Sequence, residues 1–500
     1  MLKKIIKKYL NFENILIFVI LAASLLVRVY RINQILGFYY DQGRDALVIW
    51  DLIHKGKFFL IGPTTGIEGI FRGPWYYWLI TPLYFLGKGN PVYPSIFLSL
   101  TTVFSIYILY FLAKEISGKT SGLLAIFIAS FSCVLVSSSR WLSNPTPMYL
   151  ISMLFVLSLF LVLKKKKWAV PFATFLIGMA MQFGSAAEVF YIPFFIVFCI
   201  WQRKKLPNIK IIILGLVTFG ISILPQLVFD LRHQFILSKN IIKFLFVEKS
   251  FQISFWQIIK IRIPFYYEVF TSKIWIERNI LEIILMFLGI IFLFTNWKKY
   301  WKKDIFKTII FLLISPMVGM VFFQGNHGNV YDYYFTGYYL IFILFFSIII
   351  SLWSKNIFGK FLLFLFIVSF LVGNVPKIAT LISTDVSDHK TIVLENQKQA
   401  INWIYENAKG KEFNVDVYVP PVIPYAYDYL FMWYGQKMYG YIPDNESNNL
   451  LYTLFEVDPP HPERLEAWLL RQQGIGNVLE ESTFGGITVQ KRIRISNSNY

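Results

Sequence analysis

Cysteine is nearly absent. Cys133 and Cys199 are the only two in 500 residues, and both fall inside apolar blocks. That excludes a disulfide framework and a thiolate metal site. The chain also contains no GxSxG, no P-loop and no GxGxxG, so the sequence marks of a hydrolase elbow, a nucleotide phosphate cradle and a dinucleotide fold are missing. Internal repeats are absent, and low-complexity sequence is confined to a polar tail. Acidic residues are scarce too, with 29 Asp and Glu against 48 Lys and Arg, a net charge of +19.

Apolar residues are abundant: 56% of the chain, where a soluble globular protein has about 45–50%. They come in blocks such as "YPSIFLSLTTVFSIYILYFLA" and "KIIILGLVTFGISILPQLVF". Such blocks approach the roughly 20 residues needed to cross about 30 Å of hydrocarbon. The positive charge sits between them. "KKIIKK", "AKEISGK", "KKKK", "QRKKLPNIK", "KKYWKKDIFK" and "SKNIFGK" hold 21 of the 48 basic residues, whereas loops 137–147, 183–188 and 324–336 hold only Arg140. This is the positive-inside pattern of a polytopic membrane protein, so the charge reports orientation and not a nucleic-acid partner.

The pattern predicts an all-α membrane protein of about eleven spans, near 14–31, 93–113, 121–138, 147–163, 168–182, 187–201, 209–229, 279–296, 305–323, 336–353 and 360–375. The first span has no small-residue cleavage signature before Arg28, so an uncleaved anchor is expected, and with the N-terminus cytoplasmic the odd span count puts the C-terminus outside. Three outer stretches are too long to be connectors: 32–92, 230–278 and 376–500. In the first, Asp41 is expected to cap a short helix along the membrane surface, with Ala46, Leu47, Trp50 and Ile53 at helical spacing. "FRGPWYYWLITPLYFLGKGNP" reads as an aromatic interfacial helix. Beyond 376, amphipathic "TIVLENQKQAINWIYENAKGK" and "HPERLEAWLLRQQG" alternate with strand-like "FNVDVYVP", "LLYTLFEVD" and "GITVQKRIRI". The expectation is a small α/β domain over 376–500, following a transmembrane domain over 1–375.

Ionisable residues avoid the span interiors, with Glu188, Gln182 and Gln226 as mild exceptions near outer ends. An ion channel or transporter would place such groups mid-span. They gather instead at one face: Asp41, Arg44 and Asp45 in "YYDQGRDA", Arg72 in "FRGP", Arg140, Trp141 and Asn144 in "SSSRWLSNPTP", Asp230, Arg232 and His233 in "FDLRHQF", and His327, Asp332, Tyr333 and Tyr334 in "QGNHGNVYDYYF". Carboxylates, cations and aromatics at one membrane face suit a sugar and a phosphate. Asp41 and Asp45, four residues apart, are the candidates for acid–base work. His, Cys and Glu show no metal-ligand spacing.

This layout resembles the GT-C superfamily of integral-membrane glycosyltransferases, and most of all the family 39-like branch that holds protein O-mannosyltransferases and the lipid A aminoarabinose transferase. "YYDQGRDA" matches the position of that family's Asp-Glu motif in the first outer loop, with Gln42 where Glu is usual. "FRGPWYYWLITP" resembles its Pro-Pro or Lys-Pro followed by xYYW. The resemblance implies transfer of a sugar from a polyprenyl-phosphate donor to an acceptor hydroxyl at the outer face of a bacterial cytoplasmic membrane. Asp41 would be the general base and Asp45 a second carboxylate. Arg44, Arg72, Arg140, Asn144, Arg232, His233, His327 and Tyr333 would contact substrate, and Tyr76 and Tyr77, with Tyr39, Tyr40 and Trp75, would stack on the sugar or line the lipid's entry. The acceptor is a lipid, a glycan or a protein. A divalent metal is weakly implied, because Phe71-Arg72-Gly73-Pro74 replaces the acidic residue before the family's Lys-Pro and only Glu68 is near enough to substitute. The alternatives are a polysaccharide polymerase or ligase using lipid-linked sugars, and a lipid-sugar flippase.

Overall fold

A computed structural model describes residues 11–67, 69–247, 253–277, 279–323, 328–420 and 423–495. Among these, seven helices are long and apolar enough to cross a membrane: Phe12–Ile35, Val92–Ser117, Ile209–Arg232, Ile280–Trp301, Asp304–Val321, Asp332–Lys355 and Ile357–Ile382. An eighth candidate is the pair Lys119–Phe131 and Cys133–Ser139, bent by 61°. Met148–Leu163, Ala169–Phe183 and Ala187–Trp201 are apolar but shorter. Together these occupy the eleven expected segments. The last helix continues through Pro376 to Ile382, beyond the expected end at 375.

The helix Thr336–Ile350 is the hub of the bundle, buried on nearly every side. Val92–Ser117 packs close by and buries a stripe of small residues, Ser95, Ser99, Thr102 and Ser105, of which Ser95 and Ser99 donate to Arg140 O and Ser139 O. Small side chains let helix backbones approach where lipid gives no hydrophobic drive. The 61° bend has a local cause. Ser132 caps the second half through the Leu135 amide, and the Asn374 carboxamide accepts from Cys133 N at 2.8 Å while donating to Ile274 O and Phe370 O. The loop after the bend is thereby fixed against the last span.

Beyond Ile382 a four-stranded sheet forms in the order β1 (Asn414–Tyr418), β2 (Leu450–Glu456), β4 (Ile487–Arg494), β3 (Gly476–Phe484). β1 runs parallel to β2, and β4 runs antiparallel to both neighbours. Leu394–Ala408 buries Ala400, Ile401, Ile404 and Tyr405 at helical spacing, with Trp403 edge-on to Tyr452 of β2 and Tyr405 stacked on Tyr439. The strand β3, "GNVLEESTF", has no place in the sequence reading. It is a largely exposed edge carrying Glu480 and Glu481, so the alternation that marks a half-buried strand is missing.

The sequence also gives no sign of a helical segment over 425–439, built from Tyr425–Leu430, a wider π turn Phe431–Gly435 and Gln436–Tyr439. This segment lies on the Tyr40–Lys55 helix. Gly43 makes the approach possible, since a Cβ there would stand 2.3 Å from the Ala426 nitrogen. The Tyr429 hydroxyl donates to Gly89 O and Trp433 Nε1 to Lys88 O. Gln397 Nε2 donates to Phe38 O, and Leu394 N to Leu36 O. The C-terminal unit is therefore clamped onto the first loop.

Candidate active site

The Tyr40–Lys55 helix, here the acidic helix, ends where Gly56 takes the left-handed conformation at φ 64°. Its N-cap is Tyr39, whose amide donates to Gln42 Oε1. This corrects the expectation that Asp41 caps the helix: Asp41 lies in the first turn, where a carboxylate still faces the positive helix end. Gln42 also donates through Nε2 to Leu142 O. Its amide serves two opposite hydrogen-bonding needs that the family's Glu would meet only in part. The helix is not laid bare on a membrane surface, because Gln42, Gly43, Asp45, Ala46 and Ile49 are buried beneath the 425–439 segment and the bundle.

The two carboxylates sit in different environments. The Asp41 side chain is 53% exposed and pairs with Arg44 Nη1 at 2.8 Å. Asp45 is buried, and its Oδ1 accepts from Arg44 Nη2 at 2.7 Å and from the Tyr77 hydroxyl at 2.8 Å. Burial pushes the Asp45 carboxyl up to about 6, although Arg44 and Tyr77 pull the other way. For Arg44, burial works against the charge, but Asp45, Tyr77 and Asp41 outweigh it, so the guanidinium holds its proton more firmly than a free arginine. Tyr77, Asp45 and Arg44 thus form a relay that orients Arg44, and Arg44 holds the accessible Asp41.

Arg72 reaches this centre from a hairpin-like loop. Thr64 bridges Phe71, Gly62 N donates to Arg72 O, and Arg72 N donates to Pro63 O. Gly73 is pressed against Gln182, whose Oε1 would lie 1.4 Å from an added Cβ; Gln182 in turn bonds Gln226, which bonds Phe71 O. Burial lowers the affinity of Arg72 for its proton, partly offset by the charges of Glu188 and Asp41 within reach. Its guanidinium makes one long contact, 3.4 Å to Ser185 Oγ. That leaves most of its five donors available to an anion.

Several other expected substrate contacts are engaged elsewhere. Arg140 is a correction. It donates to Val27 O, Arg28 O and Tyr30 O, tying off the carbonyl end of the first span, where unpaired carbonyls need partners. Asn144 donates to Phe183 O. Tyr76 is a second correction: at 1% exposure its ring is part of the core and presents no stacking face. Tyr77 is likewise buried and acts through Asp45. Tyr39 donates to Ile392 O, Tyr40 packs on Tyr425 and Trp75 Nε1 donates to Ser222 O, so these aromatics fasten the loop. Arg232 and His233 are exposed at a helix end, with His233 stacked on Phe229. Tyr333 is 39% exposed and within electrostatic reach of Asp41 and Arg72. His327 and Glu68 lie outside the described residues.

Two further charged groups lie at the site; the sequence showed Glu188 only as an exception near an outer span end and gave no sign of Lys273. Glu188 accepts from Gly337 N and Ser185 N beside Arg72. Lys273, 0% exposed, binds both oxygens of Asp332 at 2.9 Å. A lone lysine in "TSKIW" looks like a headgroup contact, and only packing makes it an internal cation. Among the described residues no three His, Cys, Asp or Glu side chains gather within reach of one metal ion, so the weakly implied metal finds no fitting donor set there.

A family model described as dolichyl-phosphate-mannose-protein mannosyltransferase matches residues 72–229. No curated sequence matches the chain. Its structure is similar to that of ArnT from Cupriavidus metallidurans bound to undecaprenyl phosphate, with a TM-score of 0.59 at 10% identity over 98% of this chain and 99% of that one. The apo state of the same protein gives 0.58 at 10% identity over 95% and 97%. The archaeal oligosaccharyltransferase AglB from Archaeoglobus fulgidus, in complex with an inhibitory peptide and a dolichol-phosphate, gives 0.51 at 12% identity over 99% and 75%. The chain has the GT-C glycosyltransferase fold that its motifs resemble.

Proposed function

We propose that the protein is a glycosyltransferase that moves a sugar from a polyprenyl-phosphate donor to an acceptor hydroxyl, with Asp41 as general base. One observation carries this reading: an accessible carboxylate, steered by a buried Tyr77–Asp45–Arg44 relay, lies within electrostatic reach of Arg72, a cation with little else to bind. The fold is shared with proteins whose structures carry undecaprenyl phosphate or dolichol-phosphate, which supports a lipid-phosphate leaving group.

In this mechanism Asp41 takes the acceptor's hydroxyl proton on Oδ2, because Oδ1 is held by Arg44. The acceptor oxygen forms a bond to the anomeric carbon, and the bond from that carbon to the phosphate oxygen breaks. Its electron pair stays on the polyprenyl phosphate, where Arg72 stabilises the growing charge. Asp45 is too buried to meet an acceptor, so it is a positioning residue. The transferase unit would span residues 1–375, with the C-terminal unit over the site on the extracytoplasmic side of a bacterial cytoplasmic membrane.

The test incubates the purified protein in detergent with a panel of polyprenyl-phosphate sugars and a total membrane extract as the acceptor source. Release of free lipid phosphate from one donor of the panel is expected. No release from any donor overturns the assignment.

A further inference from the structure

A cavity of about 500 Å³ opens between the bend at Ser132, the 141–146 loop, the start of the hub helix and the last span. Its walls are Trp141, Tyr333 and Tyr339, with Ser137 and Lys377 at the lining and Asp332 among them. Trp141 and Tyr333 are 37% and 39% exposed, although they stand in an otherwise dense bundle.

Among the described residues, both cations at the cavity have acidic partners. Lys273 is fully buried and bound to Asp332, with its ammonium 4.2 Å from the centre of the Tyr339 ring. Lys377 is paired with Glu277 at 2.5 Å. Neither cation is left unpaired to hold an anion. The Asp332 side chain is nevertheless 51% exposed. Its two oxygens, with about four acceptor sites, are taken by Lys273 and the Tyr339 hydroxyl in only three contacts. Aromatic faces, a fixed acceptor and hydroxyl groups in a cavity whose cations are paired match a neutral ring with one apolar face and a rim of hydroxyls.

From this geometry we infer that the cavity holds a pyranose ring of the acceptor, an inference that rests on the glycosyl-transfer reading above. The side of Tyr333 decides between donor and acceptor. Arg72, the partner for the donor's phosphate, and Asp41, the partner for the acceptor's hydroxyl, both act on Tyr333, while the cavity behind it has no free cation for a phosphate among the described residues. Because Tyr333 lines the cavity and feels the charges of both Arg72 and Asp41, an acceptor ring seated there lies on the side of the bundle that carries the proposed base.

Saturation-transfer NMR on the full-length protein in detergent, with methyl glycosides of mannose, glucose, galactose and N-acetylglucosamine as probes, tests the site without requiring turnover. At least one glycoside should receive saturation from the wild type. Trp141→Ala, at a partly exposed position, should weaken that binding about 2- to 10-fold by removing one aromatic face. Asp332→Asn should weaken it further; if that variant does not fold, Trp141→Ala alone decides. The signal should persist when undecaprenyl phosphate carrying the same sugar is added. No saturation of any glycoside, or equal binding to Trp141→Ala, overturns the site. Displacement by the lipid-linked sugar overturns the acceptor assignment and gives the ring to the donor. Glycoside binding without lipid-phosphate release would leave the cavity standing and sink the transfer reaction instead.

Discussion

Asp41, Asp45 and Asp51 share one helix but have different neighbours, and three predictions follow those neighbours. Asp41→Asn loses an exposed ion pair and a first-turn interaction with the helix dipole, together about 1 kcal/mol or less of stability. It also loses the proton acceptor, so lipid-phosphate release should fall by about 10²–10⁴-fold. Asp51 is held only by Lys55 and Lys57 at the surface, and Asp51→Asn should leave the rate unchanged. Full activity of Asp41→Asn would remove it as the base. Asp45 makes a pH prediction. Its folded carboxyl, pushed up to about 6 from 3.8 by burial, holds a proton more tightly than the unfolded chain does. Ionising it therefore costs stability that is retained below about pH 4 and lost progressively as pH rises to about 6. Relative to wild type, Asp45→Asn should gain thermal stability across that window, and a difference that does not vary with pH would contradict it. The two arginines should separate as well. Arg140→Ala leaves three carbonyls of the first span unpaired and should lower the melting temperature with donor KM unchanged. Arg72→Ala should raise donor KM about 10- to 150-fold with little change in melting. If both variants behaved alike, the assignment of Arg140 to the fold would fail.

At the scale of elements, the contact between the acidic helix and the 425–439 segment rests on one missing side chain. Gly43→Ala places a methyl where Ala426 backbone already stands, so the two helices must separate at a cost of about 1–3 kcal/mol. Thermal melting should fall, proteolysis near 423–440 should quicken and transfer should weaken, because the helix that carries Asp41 loses its cover. Gly373→Ala, on a helix face with open space around it, is the control and should be neutral. Equal behaviour of the two variants would mean that the C-terminal segment does not brace the site. The sequence marked the acidic helix through its spacing of Ala46, Leu47, Trp50 and Ile53. It could not show that Gln42, Gly43 and Asp45 are buried with Ala46 and Ile49, because the groups against them are distant in sequence: Leu142 for Gln42, Ala426 for Gly43 and Tyr77 for Asp45.

For the whole molecule, the basic clusters predict sidedness. In a protein whose Cys133 and Cys199 are replaced by serine, single cysteines at Ser387 and Lys165 should be labelled from opposite sides of the membrane. Labelling from one side would overturn the orientation and the outer-face site with it. The span pattern, the charge asymmetry, the acidic helix and most of the C-terminal elements were legible in the sequence, because hydropathy, helical period and capping act between residues a few positions apart. What each polar side chain binds was not. Trp433 reaches Lys88 across 345 positions, Arg140 reaches Val27 across 113 and Tyr77 reaches Asp45 across 32. A cation or carboxylate has the same composition whether it faces substrate, a helix end or another charge. Only tertiary packing, which sets distance and desolvation, divided Asp41 from Asp45, turned Arg140 into a clamp and left Arg72 with a single long contact.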